Sequence, residues 1–372
     1  MEYIFILFFL NFGIYIFFLI TNILSLLLSP PNININNQSS KVPVSVIVAI
    51  RNGERSLGDL IKNLIDQDYR GEVEFLLVDD NSNDKTKEII KHAENKYSQI
   101  KYVSSSEGDP ELFFKKRALD AGVSKSSYDT LLFTDVDCKF GKSWVSGMTG
   151  SFIDNIDYVI GFSRARYKFG FANLFQKIDF LMLMFSAKAV SDIRFPLACS
   201  GQNQAFKKNL FKKVGGYKRI SDLLMGDDSI FLQLCLKANA NVAFCNNPQS
   251  YVFCRSENNW RDLFLQRMRW AGDGNIMWKY NFIFFQIMVA TVASNLFILF
   301  LLAIWSLHIL LVILSIKFFI ELMLHIVGSR KFQENFSIFN FAYWYIINIP
   351  YVCIMCVASF FVPLISWKNR SR

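Results

Sequence analysis

Apolar segments bracket this chain of 372 residues, and they limit what it can fold into more than any other feature. Residues 3–28 are broken by few polar side chains, mainly Asn11, Thr21, Asn22 and Ser25, and a second block spans 282–327 and a third 338–367. At about 1.5 Å per helical residue the first run crosses a hydrocarbon core, and the second is long enough for two helices turning near Ser306 to His308. A cleaved leader is the rival reading of the first run. No basic residue precedes that run, it exceeds a normal leader core, and Leu28-Ser29-Pro30-Pro31 is a poor cleavage site. The division that follows is an N-terminal transmembrane anchor (1–29), a polar, turn-rich linker (30–42), a soluble α/β domain (43–278) and a C-terminal membrane region (279–372).

The third block carries Asn348 and Pro350 at its middle, so it reads as a kinked span, a re-entrant hairpin or an interfacial helix. Arg330, Lys331, Lys368, Arg370 and Arg372 prefer the cytoplasmic side, which places the soluble domain and the C-terminus there and favours a final segment that does not cross. The net charge of +9 suits an anionic membrane surface. It does not indicate nucleic acid, because no basic stripe with interleaved aromatics accompanies it. The seven cysteines show no metal-binding pattern, and their odd number and scatter suit a reducing compartment.

Between the apolar ends, Val44–Ile50 reads as a buried parallel strand, 51–56 as a turn, and the residues through Ile65 as a helix. Val73–Val78 repeats the strand and stops at Asp79 and Asp80, with a helix over 85–97. Ile100–Val103 is a short strand, Lys115–Ala121 a helix stopped by Gly122, and Thr130–Phe133 a strand ending just before Asp135. Tyr158–Arg166 reads as one strand, 169–190 as a long helix lying on the bilayer surface or on the sheet, 196–217 as a loop entering a short helix, and 228–238 as a helix. Acidic residues at the carboxyl ends of strands are what an open, doubly wound α/β sheet requires of a binding site.

Those acids suit phosphate and sugar chemistry. Asp135 and Asp137 flank Val136, and in a strand extension both point one way, where they can face one hard cation or divide between the cation and a ribose hydroxyl. Gln266 and Trp270 are four apart on a helix and share a face that Arg269 can reach. Arginine suits a pyrophosphate and tryptophan suits stacking on a sugar, the alternative for Trp270 being an interfacial anchor.

Five segments in order, Arg51-Asn52-Gly53-Glu54, Val78-Asp79-Asp80, Thr134-Asp135-Val136-Asp137, Gly226-Asp227-Asp228 and Gln266-Arg267-Met268-Arg269-Trp270, resemble a family 2 glycosyltransferase of the GT-A type over residues 44 to about 275. The resemblance implies a Rossmann-like nucleotide-diphospho-sugar transferase domain. Ala49, Arg51 and Glu54 would cradle the donor nucleoside, with Gly53 in place of the family's usual acid. Asp79 and Asp80 would contact base and ribose, Asp79 alternatively capping its turn. Asp135 and Asp137 would hold a divalent metal, Mg²⁺ or Mn²⁺. Lys115 matches the lysine of a Gly-Lys-x-x-Ala-Leu element near the donor, with Phe114 replacing the glycine; a solvated helix start is the alternative. Asp228, or failing it Asp227, would be the catalytic base, and the other could cap the next helix. Gln266 and Arg269 would serve the donor, and Trp270, Gly201 and Asn203 the acceptor.

The expectation is an inverting, metal-dependent transferase in the plasma (inner) membrane, moving a sugar from a nucleotide-sugar donor, by preference a uridine diphosphate sugar, to a lipid or lipid-linked saccharide. A processive polysaccharide synthase is the alternative within the same chemistry. A channel or transporter without catalysis is the alternative of another class.

Overall fold

The computed structural model describes residues 2–30, 41–153 and 155–364. They form two compact units, one of residues 30–166 and 194–255, the other of 1–29, 167–193 and 256–372.

The first unit is a layered α/β body. Its strands are β1 (Val44–Ile50), β2 (Val73–Asp79), β3 (Ile100–Ser104), β4 (Thr130–Phe133), β5 (Lys139–Phe140), β6 (Tyr158–Ile160), β7 (Ser163–Ala165), β8 (Gln204–Lys207), β9 (Val242–Phe244) and β10 (Val252–Cys254). Seven of them make one sheet in the order β3-β2-β1-β4-β8-β6-β9, and β5-β10-β7 make a small second sheet. β1, β2, β3 and β4 run parallel, whereas β8 is antiparallel to both β4 and β6. Six of the seven residues of β1 are fully buried, because helices cover both faces of a parallel sheet. In register, Ile50 lies beside Asp79 and Ile47 beside Phe133, so the chain leaves β1, β2 and β4 at one edge. β1 is the strand from which the order turns outward both ways, and the crevice beyond the carboxyl ends at such a reversal is where this architecture binds ligands.

In chain order the helices are α1 (Glu2–Leu28), α2 (Glu54–Ile65), α3 (Thr86–Lys96), α4 (Phe114–Lys125), α5 (Trp144–Thr149), α6 (Phe171–Asp192), α7 (Lys208–Val214), α8 (Ser229–Lys237), α9 (Trp260–Gly274), α10 (Phe282–Ala303), α11 (Leu307–Phe332) and α12 (Ile338–Ala358). Of these, α2–α5, α7 and α8 belong to the α/β unit. Gly122 does not stop α4, which runs on to Lys125. A Cβ at Gly122 would lie 2.4 Å from Ile47 Cγ2, so the glycine is there to let helix and sheet approach. The single strand expected over 158–166 is two strands in two different sheets, and the loop expected over 196–217 contains β8.

The second unit is helical. Among the described residues α1, α10, α11 and the segment Ile338–Phe361 are long and apolar enough to cross a membrane. The break expected at Pro350 is not there: α12 continues through the proline as one helix, which excludes a re-entrant hairpin. Lys368, Arg370 and Arg372, on which the expectation of a cytoplasmic C-terminus partly rests, lie outside the described residues. Helix α6 packs among α1, α11 and α12, and Ser25 Oγ in α1 donates to the Ala189 carbonyl of α6 at 2.7 Å. Lys317 and Glu321, spaced for one helical face, pair at 2.7 Å with both side chains fully buried. The Tyr15 hydroxyl donates to Glu321, and the Lys317 ammonium lies 4.7 Å from the Tyr345 ring centroid, so this pair ties α1, α11 and α12 together.

Candidate active site

The α/β unit gathers three of the sequence-predicted acids around one lysine. Lys115 Nζ lies 3.0 Å from Asp135 Oδ1 and 3.2 Å from Asp227 Oδ2. Burial alone would pull the ammonium's pKa down, but the carboxylates of Asp135 and Asp227 outweigh it and hold the pKa above its usual value. Lys115 is therefore in contact with the acids and not a solvated helix start. Phe114 explains how: its φ of 55° is left-handed, a conformation that glycine adopts without cost, so the backbone turn survives the replacement at the expense of strain.

Asp227 is buried, while Asp228 keeps partial exposure and forms the N-cap of α8, its Oδ1 accepting from the Ser229 N–H. Asp228 Oδ2 also accepts from the Gly201 N–H at 3.4 Å. Removal from water and the neighbouring Asp227 push the Asp228 carboxyl up to about 6, against the opposing pull of the Ser229 N–H, Lys115 and the Gly201 N–H. The Gly226 before the pair has φ +96°, which a residue with a Cβ rarely adopts. That turn presents both acids together.

Asp135 and Asp137 do not extend strand β4. They lie in a tight turn in which Cys138 N–H donates to the Asp135 carbonyl at 3.1 Å, and the Asp137 carbonyl accepts from Arg166 Nη2 at 2.7 Å. Their oxygens are the donor type a hard divalent cation prefers. Among the described residues no three His, Cys, Asp or Glu side chains are grouped so that they could hold a metal ion by themselves, so a cation here would need oxygens from the donor's phosphates as well. This donor set fits Mg²⁺ or Mn²⁺ shared with a diphosphate.

The turns after β1 and β2 interlock. Arg51 Nη1 donates to the carbonyls of Asp80 and Asn81, each at 2.7 Å, and Asn52 Oδ1 accepts from the Asn83 N–H at 2.9 Å. Asp79 Oδ1 accepts from the Ser82 N–H at 3.0 Å, the turn-capping role. Asp80 is buried at the end of the crevice, Ala49 is half-buried in β1, and Glu54 is exposed at the start of α2. Asn203 does not face the crevice. It is fully buried, donates to the carbonyls of Phe162 (2.9 Å) and Ser250 (3.0 Å) and accepts from Trp144 Nε1 (3.0 Å), which uses its amide in the core and removes it from the acceptor set.

In the helical unit α9 carries Gln266, Arg269 and Trp270. Gln266 Nε2 donates to Glu257 Oε1 at 3.1 Å, and the Trp270 indole is covered by the Arg267 guanidinium, 4.1 Å from the ring centroid. Arg267 is buried against Asp179 of α6 at 2.9 Å. No spacing signal in the sequence links residues so far apart. The burial of Lys116, by contrast, was legible: Lys116, Leu119 and Val123 lie on one face of α4 by helical spacing, and all three are buried.

A sequence profile described as "Glycosyl transferase family 2" matches residues 45–215, and one described as "Glycosyl transferase family group 2" matches residues 153–362. Poly-beta-1,6-N-acetyl-D-glucosamine synthase of Staphylococcus epidermidis is 24% identical over 302 residues, 80% of this chain and 70% of that protein. The Staphylococcus aureus synthase of the same name is 23% identical over 249 residues, 66% of this chain and 57% of that protein. Among solved structures, the mannosyltransferase PcManGT from Pyrobaculum calidifontis, in complex with GDP-Man and Mn²⁺, has a TM-score of 0.62 at 17% identity over 99% of both chains. At that identity the likeness is one of fold.

Proposed function

Because the chain belongs to glycosyltransferase family 2, we propose that it moves a sugar, with inversion, from a nucleoside diphosphate donor to an acceptor held at a membrane. The observation that carries this reading is the Asp135–Lys115–Asp227 cluster with Asp228 beside it, at the carboxyl edge of the sheet.

Asp80 and the interlocked turns after β1 and β2 bind the nucleoside, and Lys115 meets the donor's phosphates. Asp135 and Asp137 would hold a divalent ion, which would supply positive charge to offset that on the departing diphosphate. Asp228 takes the proton of the acceptor hydroxyl. An alcohol is too weakly acidic to attack unaided at neutral pH, and a carboxyl tuned to about 6 is ionised there yet basic enough to accept that proton as the bond forms. Asp227, held by Lys115, stands beside Asp228 and contributes to that tuning. One base acting on one acceptor needs no covalent enzyme intermediate, hence inversion. Arg269 and Gln266 serve the diphosphate and Trp270 stacks on the acceptor sugar. The Mn²⁺ and GDP-Man bound by the Pyrobaculum mannosyltransferase support the metal and the donor class, and Asp80 favours uridine as the base.

The acceptor in this reading is a lipid or lipid-linked saccharide in the bilayer that α1 and α10–α12 enter, with the α/β unit on the cytoplasmic face of the plasma membrane. The names of the staphylococcal relatives favour a second reading, processive synthesis of a polysaccharide. Incubating purified enzyme with labelled donor and membrane lipid extract separates the two: short, organic-extractable glycolipid supports the first and long, lipid-free polymer the second.

A further inference from the structure

We propose that Lys116 is a positioning residue for the catalytic base: its buried ammonium gathers the backbone of the loop at 220–226 and so fixes where Asp227 and Asp228 stand. This rests on the reading of that acidic pair as the base of glycosyl transfer.

Lys116 is only 1% exposed, and a buried ammonium is retained only where oxygens replace its water. It donates to the carbonyls of Ile220 and Leu223, and to that of Met225 at 3.3 Å. Ile220 closes a 3-10 turn (Lys218–Ile220), and Leu223 and Met225 lie in the short irregular stretch that leads from it into Gly226-Asp227-Asp228, where no helix or strand ladder is available to take up their carbonyls. Backbone groups buried without partners are costly, so the ammonium decides which conformation this stretch holds. The left-handed turn at Gly226 then delivers the acids.

The two consecutive lysines at the start of α4 divide the work. Lys115 touches the acid side chains, and Lys116 holds the backbone that carries them. Both leave the same strained residue, Phe114, so α4 and the acidic turn are set as one piece. In this proposal Lys116 acts through the backbone it holds and not on a reacting atom. Its loss is therefore expected to displace the base without weakening the donor's grip.

The test compares wild type with Lys116→Met, Lys116→Gln and Lys116→Arg in steady-state turnover and in amide hydrogen exchange. Wild-type turnover of a nucleotide sugar checks the underlying reading first; if wild type turns over no donor, that reading fails by itself. Given turnover, the Met and Gln variants are expected to lose about ten-fold or more in kcat while donor KM stays within about two-fold, the pattern of a misplaced base. Amides of 221–228 should exchange about ten-fold faster while those of β1 and β4 are unchanged, and Lys116→Arg, which keeps a charged donor, should recover kcat to within about three-fold of wild type. Wild-type kcat in a folded Met or Gln variant overturns the proposal, as does a rise in KM matching the fall in kcat, or an Arg variant no better than Met. If Met and Gln both accelerate exchange everywhere, Lys116 serves folding as a whole and the proposal is equally overturned.

Discussion

Replacing Asp228 with Asn separates the carboxylate's chemistry from its structural duty. The amide keeps an oxygen for the Ser229 N–H, so α8 retains its cap, while the proton acceptor and the charge disappear. Turnover should fall about 10²-fold or more, with donor affinity near wild type. In wild type, turnover should also fall as pH drops through about 6, because the base is then protonated. The same substitution should stabilise the fold. The carboxyl titrates near 6 in the folded protein, against roughly 3.9 in an unfolded chain, so ionising it at neutral pH costs folding about 3 kcal/mol at full conversion. Partial exposure screens part of this, leaving on the order of 1–2 kcal/mol. The folded state binds the proton more tightly, so this cost is fully present above pH 6, shrinks as pH falls through 6, and vanishes below about pH 4, where both states are protonated. Thermal unfolding of both proteins in one detergent should show the variant melting about 2–4 °C higher near pH 7.5 and the gap closing near pH 4. A variant that melts lower at neutral pH, or turns over at the wild-type rate, would refute the reasoning.

Asp135→Asn and Asp137→Asn should each abolish Mn²⁺-dependent binding of a uridine diphosphate sugar without unfolding the α/β unit; calorimetric titration with and without Mn²⁺ checks it, and unchanged affinity in both would count against the metal assignment. Gly122→Ala should destabilise by about 1–3 kcal/mol, since its methyl would meet Ile47 Cγ2 at 2.4 Å, and denaturant unfolding measures the loss. Asp179→Ala should cost the helical unit about 3–5 kcal/mol by leaving the buried Arg267 guanidinium without its carboxylate, read as a lowered melting temperature in detergent. Lys368, Arg370 and Arg372 favour a C-terminus on the same, cytoplasmic side as the α/β unit, so a C-terminal reporter active only outside the cytoplasm should stay silent; strong signal would mean that Ile338–Phe361 crosses along with α10 and α11.

The parallel half of the sheet was legible because buried parallel strands are written as unbroken apolar runs: β1 and β4 begin and end where the sequence placed them. The antiparallel β8 was not. Gln204-Ala205-Phe206-Lys207 has neither β-branched residues nor alternation, and its strand form comes from pairing with β4 and β6 on either side. Pro350 misled for a related reason, since neighbouring helices in a membrane can satisfy what a proline frees. At the site, residue types announced the acids, yet not how they are held. Nothing in the sequence sets Phe114 in a left-handed turn or turns Asn203 into the core, because both follow from packing across distant segments.

Release of nucleoside diphosphate tests the central claim most directly. Purified protein in lipid, supplied with a panel of nucleotide sugars, Mg²⁺ or Mn²⁺ and membrane lipid extract, should release nucleoside diphosphate from at least one donor, and chelation or Asp228→Asn should stop it. Absence of release from every donor, or release that persists at the wild-type rate in Asp228→Asn, would contradict the account.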